Sequence, residues 1–541
     1  MKGIKGVIKN SVDVRTKQWQ ELQYGLFIHW GLYSELGGEW QGKQVTKGYS
    51  EQIQMWANID QASYAEVAES FTAEQFNAAE ICQLAKDAGM NYIVFTTKHH
   101  DGFSLFDTNT TDYNIVQKTP FGKDALQLLA KECEKHGLKL GLYFSLIDWH
   151  AGHAFDVDNQ NPIPTSMETL IEKQLTELMT KYGEIVEVWF DMSSPTKAQS
   201  KKFAEIVHTY QPNAMVSGRI WHNVGDFRTL GDNQIPTDTI EGPWQTPASI
   251  YRATWGYRNW QARTDFEGKV HDLLTGFISV VSKGGNYLLN IGPQGDGSIV
   301  PFEKQVLEEM GAWLKRHPKA VLGASGTKFE TQSWGEITIH HYALYCHIFD
   351  WPTSGELVLD GLLTEVVRVV EDGTNDELHF EQQSSKFVVQ LPTNCKESLI
   401  PVLKVELARE LRMMPRYHVM HKNEQVISGD EMERHFNYAD EGNYLSLKKT
   451  VVRQSLYIMS EKPVEVLFTI TGKVIDKART YQVTVGDKML LVTGDELVDS
   501  AVGPFSIEEN EYMKLEITLQ EPKFSSEDIG LEIEQIAVQV V

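Results

Sequence analysis

Polar residues of a few types collect where short apolar runs end. His29 and Trp30 close one run, Lys98-His99-His100-Asp101 a second, Ser145 and then Asp148 a third, and Asp191 a fourth. Imidazoles, carboxylates and a lysine are the groups that bind hydroxyls and move protons. Trp30, Trp40, Trp149, Trp189 and Trp255 lie close to them in the chain. Aromatic faces beside carboxylates and imidazoles suit a sugar ring, whose C–H patches stack while its hydroxyls need donors and acceptors. A lone histidine beside an apolar run is more often a core residue, so His29 gains weight only in company with His99 and His100.

The elements that must position these groups alternate in type. Apolar runs of strand length occur at Gly25–Ile28, Tyr92–Phe95, Leu140–Phe144, Val186–Phe190, Met215–Ser217 and Tyr287–Ile291. Between them lie helical periods: Ile81, Leu84, Ala85 and Ala88 follow i, i+3, i+4, i+7, as do Leu126, Leu129, Ala130 and Cys133. Strand then helix, repeated over about the first 320 residues, predicts an α/β fold of the (β/α)-barrel, TIM-like type. An open doubly wound sheet is disfavoured because no GxGxxG opens the first helix. A barrel carries its reacting groups where strands end on the C-terminal face, which is where the polar residues above fall.

After Ala320 the texture changes to short alternating runs such as Ile337–His340 and Val388–Leu391, separated by turn pairs like Asp372-Gly373. That pattern predicts C-terminal domains of the β-sandwich type. The division expected is 1–324 for the catalytic barrel, 325–409 for a β-sandwich and 410–541 for a further β-rich domain, the last boundary resting on the run Val402–Leu407 and the Arg409–Arg416 stretch after it.

Composition narrows the function classes. The chain has 541 residues, 50 basic against 74 acidic, for a formal net charge of −24. A nucleic acid partner would need clustered Lys and Arg, and none occur beyond pairs such as Lys201-Lys202, so no nucleic acid partner is expected. No apolar stretch reaches the roughly 18 residues of a spanning helix, and Met1–Trp19 lacks the apolar region of a secretory signal. Cys82, Cys133, Cys346 and Cys395 are scattered without CxxC spacing and read as reduced thiols. The expectation is a cytoplasmic protein, off the membrane and without cofactor or metal.

The residues also carry a resemblance. Gly25-Leu-Phe-Ile-His-Trp-Gly31, Gly38-Glu-Trp40, Phe95-Thr-Thr-Lys-His-His-Asp-Gly-Phe103, Trp189-Phe-Asp191, Trp255-Gly-Tyr257 and Asn286-Tyr-Leu-Leu-Asn-Ile-Gly-Pro293 resemble, in order, the motifs of the retaining α-L-fucosidases of glycoside hydrolase family 29. The resemblance covers about the first 300 residues. It implies an exo-acting hydrolase that releases terminal α-L-fucosyl residues from an oligosaccharide or glycoconjugate by double displacement. In that reading Asp191 resembles the nucleophile, while His29, Glu39, Trp40, His99, His100, Tyr143, Trp189, Arg219 and Trp255 resemble the sugar-binding set. Retention requires two carboxyl groups about 5 to 5.5 Å apart, one ionised and one protonated. The competing reading of Asp191 is a helix N-cap, since Ser193, Ser194 and Pro195 follow it.

The acid/base does not carry over by motif. Glu241, in Ile240-Glu-Gly-Pro-Trp-Gln245, is favoured over Asp232, because a glutamate reaches further and has the higher ordinary pKa. Gln245 stands where many relatives carry Glu after Trp. Two rival readings stay open. One is a metal-dependent barrel hydrolase using His29, His99, His100 and Asp191, against which adjacent histidines in a strand point to opposite faces. The other is a non-catalytic carbohydrate-binding protein. Activity on α-L-galactosides, which differ by one hydroxyl, is a variant of the hydrolase reading. The β-rich regions are expected to brace the barrel or make subunit contacts in a homo-oligomer, where one of their loops would edge a neighbour's pocket.

Overall fold

In the computed structural model, the described residues are 4–7, 13–156, 161–192, 194–236, 239–240, 242–330, 332–392, 399–414, 417–419, 425–440, 444–509, 511–520 and 530–541. Eight parallel strands form the first unit: β1 Tyr24–Ile28, β2 Tyr92–Lys98, β3 Lys139–Ser145, β4 Ile185–Asp191, β5 Met215–Val216, β6 Arg228–Leu230, β7 Trp244–Ser249 and β8 Asn286–Ile291. They hydrogen-bond in the order β6-β7-β8-β1-β2-β3-β4-β5, and a parallel bridge from Ser217 to Phe227 links the two edges. The sheet is thus, among the described residues, a curled (β/α) barrel whose last seam is closed by one bridge.

Six long helices pack around it: α1 Ala78–Asp87, α2 Ala125–His136, α3 Thr165–Lys181, α4 Lys197–Tyr210, α5 Phe266–Ser282 and α6 Pro301–Arg316. Their ends follow local chemistry. The Asn77 and Asp124 side chains accept the amides of Glu80 and Gln127, and α2 stops at Gly137 in the left-handed conformation. α4 is capped by Thr196, with Gln199 reciprocating. Asp191 is therefore not the cap of the helix that follows it.

Alternation along the strands sorts the barrel into two cores. Leu26 and Ile28, Ile93 and Phe95 face the helices, whereas Phe27, Tyr92, Val94, Tyr143, Trp189 and Leu288 point into the lumen with Trp19. The lumen floor is polar. Glu187 accepts the Trp19 indole N–H at 2.6 Å and the Gln245 amide at 3.1 Å, and that amide also donates to Tyr92 Oη at 3.0 Å.

Two strands escape the sequence pattern. β6 and β7 fall in stretches that read as loop, since Trp244-Gln-Thr-Pro-Ala-Ser249 mixes polar residues with a proline. All six β7 residues are nonetheless buried, with Gln245 and Thr246 satisfied by hydrogen bonds inside the fold.

Beyond the barrel, a five-stranded sheet including Gly335–His340, Ala343–Ile348 and Val402–Leu407 faces a three-stranded sheet of Glu356–Asp360, Lys386–Gln390 and Phe380–Gln383, enclosing its own apolar core. Further on, Val464–Val474, Val502–Ile507 and Glu532–Val540 lie in one sheet, opposed by a second sheet around another separate core. That second sheet contains the hairpin β9 Glu433–Asp440 and β10 Tyr444–Ser460. The start of β10 pairs in parallel with the barrel, Tyr444 opposite Thr229 and Leu445 opposite Leu230. The hairpin thus meets the barrel of its own chain.

Candidate active site

The C-terminal mouth of the barrel holds a cavity of about 300 Å³, lined by residues at or just past six strand ends and from two further loops. His29, His99, His100, Tyr143, Trp189, Asp191, Arg219, Asp232 and Trp255 all line it. Glu39 and Trp40 do not. They sit in a short hairpin with Lys43–Gln44, half-buried and outside this lining. Glu241 lies outside the described residues.

Asp191, the last residue of β4, is the centre of the network. Its Oδ2 accepts the Tyr143 hydroxyl at 2.8 Å and its Oδ1 accepts Arg219 Nη1 at 3.0 Å. Burial alone would raise its pKa. The Arg219 and neighbouring His100 fields and the Tyr143 hydrogen bond outweigh burial and hold the carboxyl below the usual range. The result is a largely buried carboxylate that stays ionised at neutral pH.

Arg219 comes from the turn Gly218–Ile220 directly after β5. Its second nitrogen, Nη2, donates to Asp232 Oδ1 at 2.5 Å and to the Leu230 carbonyl at 3.4 Å. One guanidinium therefore spans two carboxylates. Its plane lies over the Trp189 ring at 4.5 Å, and Trp189 is fixed from below through its Nε1–H to Gln245 Oε1 at 2.9 Å. Gln245 so joins the lumen floor to the pocket wall, a role its position in a strand supplies and its sequence context concealed.

The three histidines are neutral. Burial pushes His29 down to about 3, His100 to about 4 and His99 well below the ordinary value. His29 Nδ1 lies 2.7 Å from Asn290 Oδ1, and the Asn290 amide donates to the Trp255 carbonyl at 2.8 Å. With that amide committed as donor, His29 carries its proton on Nδ1 and leaves Nε2 as an acceptor. His100 Nδ1 bonds Ser145 Oγ at 2.7 Å, and the Ser145 hydroxyl donates its hydrogen bond to the Ile147 carbonyl, so the same tautomer holds there. His99 stacks on Tyr143, and its Nδ1 has no partner among the described residues.

One premise from the sequence is corrected. β2 ends at Lys98, so His99 and His100 lie in the turn beyond it, with ring centroids 4.0 Å apart, and both line the pocket. Among the described residues no three His, Cys, Asp or Glu side chains are grouped to hold a metal ion.

Sequence reasoning missed Glu51, Phe27, Tyr49, Gln52 and Met192 as lining residues. Glu51 is the most consequential. Its Oε2 accepts the backbone amides of Trp255 at 3.1 Å and Gly256 at 2.9 Å, and burial raises its carboxyl to about 7. No motif flags it, because its task is to hold backbone. On the other side of that loop, a Cβ at Gly292 would meet Trp255 O at 2.8 Å and Gly256 C at 2.9 Å. Gly292→Ala is expected to push the Trp255 loop outward, at about 1–3 kcal/mol of strain, and to raise KM for substrate at least tenfold. Steady-state kinetics on the folded variant check it.

Glu303 of α6 is a second raised carboxyl. It accepts the Gly292 amide at 2.9 Å, and burial pushes it up to about 8. Its folded pKa lies above its unfolded one, so the native state retains a proton that the unfolded chain releases from about pH 4.5 upward. Stability from this group therefore falls as pH rises through that window and levels off above about 8. Glu303→Gln keeps the hydrogen bond and removes the titration. The variant is expected to gain thermal stability over wild type progressively between pH 5 and pH 8, as read by calorimetry.

A pocket of imidazoles, indoles and one ionised carboxylate at the mouth of a (β/α) barrel defines a sugar-cleaving enzyme, a glycoside hydrolase. The α-L-fucosidase family pattern matches residues 7–319, more than half the chain. The tissue α-L-fucosidase of Rattus norvegicus is 28% identical over 412 residues, covering 71% of this chain and 88% of that protein. The α-fucosidase of Thermotoga maritima, solved with a mechanism-based inhibitor, superposes with a TM-score of 0.61 at 27% identity, covering 72% of this chain and 96% of that one. The α-L-fucosidase of Vibrio sp. strain EJY3 shares the fold over 99% of this chain and 98% of its own, with a TM-score of 0.71 at 24% identity. The chain belongs to the α-L-fucosidase family, glycoside hydrolase family 29.

Proposed function

We propose that this protein is a retaining exo-α-L-fucosidase that releases terminal α-L-fucosyl residues from glycans or glycoconjugates. The observation that carries the reading is Asp191, kept ionised at the barrel mouth by Tyr143 and Arg219. In the first step an Asp191 oxygen attacks the anomeric carbon as the glycosidic C–O bond breaks and the acid protonates the departing oxygen. A β-fucosyl ester results. In the second step water attacks the same carbon, gives its proton to the acid/base residue and frees Asp191.

The neutral histidines and Arg219 bond the ring hydroxyls, and Trp255 walls the apolar face of the sugar. Glu39 and Trp40 belong to the sugar-binding set in this reading as rim residues. Glu241 is the acid/base, with Asp232 the alternative. Asp232 is already engaged as the second partner of Arg219, which favours leaving proton transfer to Glu241.

Three finer readings belong with this one. The chain divides at 324 and 409 into barrel, sandwich and further β-rich domain. It works in the cytoplasm, supported by the free thiols of Cys82, Cys133 and Cys346, buried among the described residues, the first two with sulfurs 3.8 Å apart and not joined; no helix among the described residues is long and apolar enough to cross a membrane. It forms a homo-oligomer, supported by Met489 and Leu491 pointing outward from the edge strand Lys488–Thr493. Light scattering measures the subunit number.

The test is hydrolysis of an aryl α-L-fucoside followed by proton NMR. The first sugar formed should be the α anomer. Release of the β anomer, or no release at all, would sink the proposal.

A further inference from the structure

Among the described residues the barrel is closed between β5 and β6 by one bridge, from Ser217 to Phe227, beside which the Asp226 amide donates to the Val216 carbonyl at 2.7 Å. Above that bridge the edge of β6 facing β5 would expose its backbone N–H and C=O groups, which a fold does not leave unpaired in its interior. The structure fills this edge from elsewhere. Thr229, fully buried, pairs with Gln245 of β7 on one side and with Tyr444 of β10 on the other, and Leu230 pairs with Leu445.

The same seam is where Arg219 originates. Its turn, Gly218–Ile220, follows β5, and its Nη2 binds the carbonyl of Leu230 and the side chain of Asp232 just past β6. The inserted strand thus abuts the segment that anchors the guanidinium, and the guanidinium anchors Asp191.

We propose that β10, a strand of the C-terminal domain, is a working part of the catalytic barrel: it seals the seam between β5 and β6 and so keeps Arg219 seated on Asp191. The proposal rests on the fucosidase reading for its kinetic consequence, and on backbone pairing alone for its structural one. Without β10, Thr229 and Leu230 lose their pairing with Tyr444 and Leu445, and the backbone that carries the Leu230 carbonyl and Asp232 is held on fewer sides. Arg219 then holds Asp191 less firmly. Because Arg219 is the strongest influence holding Asp191 below its ordinary range in the intact site, a loosened Arg219 moves it back upward.

The test replaces residues 439–446 by Asn-Gly, joining the hairpin where Tyr438 faces Leu447 and withdrawing Tyr444 and Leu445 from the barrel. A second variant, Leu445→Pro, keeps the chain length and removes one strand amide. Each is measured by thermal unfolding, by hydrogen exchange of the peptide spanning Thr229 and Leu230, and by the pH profile of aryl α-L-fucoside hydrolysis. The expected result is an unfolding midpoint near that of wild type, fast exchange at 229–230, a kcat loss of about tenfold or more, and an acid limb displaced upward by about one pH unit. Unchanged kinetics and an unmoved acid limb in a folded variant would overturn the proposal. If neither variant folds, exchange in wild type decides: protection at 229–230 matching that of β7 supports the seal, and exchange at the rate of an open edge rejects it. If wild type proves inert on fucosides, the functional reading falls while the exchange result still judges the pairing.

Discussion

Asp191→Gly is expected to lose hydrolysis of an aryl α-L-fucoside by at least about 10³-fold in kcat, and to regain a measurable rate when azide is added. Removing the carboxylate leaves a gap at the end of β4, bordered by the Tyr143 hydroxyl and Arg219 Nη1, both of which donate to it in the intact site. A small anion can enter that gap and attack the anomeric carbon from the same face, giving a β-glycosyl azide. Mass spectrometry and NMR of the product identify it. Hydrolysis surviving in Asp191→Gly would remove this residue from the reaction, and rescue that yields an α-azide would place the nucleophile elsewhere.

Arg219→Met should produce the second-largest change, and its direction follows from the balance at Asp191. Burial raises that carboxyl; Arg219 is the strongest of the influences that lower it. With the guanidinium gone, burial prevails, and the fraction of ionised Asp191 falls at every pH below its new midpoint. The acid limb of kcat/KM is therefore expected to move upward, accompanied by a rate loss of about 10²-fold or more at neutral pH, in keeping with the cost of breaking one partner of a buried pair. Arg219→Lys should recover part of the charge effect but not the two-carboxylate span, since an ammonium cannot reach Asp191 and Asp232 in the same fork. An acid limb that stays in place in Arg219→Met would show that Tyr143 and His100 suffice.

How far the residues announced this arrangement depends on the range over which their information acts. Asp191, His29 and Trp189 were legible because each stands at or beside the end of an apolar run, and strand ends share one face of a barrel. The helices α1 and α2 were legible from their 3.6-residue period. β7 was not, since Gln245, Thr246 and Ser249 look like loop residues until their partners Glu187, Gln234 and Asn233 are in place. Glu51 was hidden for a related reason: it binds backbone amides of a loop some two hundred positions away, and backbone has no sequence signature. The face-splitting argument for His99 and His100 failed on a boundary, because β2 stops at Lys98, before either of them.

The pairing of Thr229 with Tyr444 sets a schedule for biosynthesis. At about 5–20 residues per second, roughly ten to forty seconds separate the appearance of the two positions at the ribosome. For that interval the nascent barrel carries a bare strand edge at the mouth of its own pocket, which is the period when a holdase would bind it or a second nascent chain would donate the missing strand.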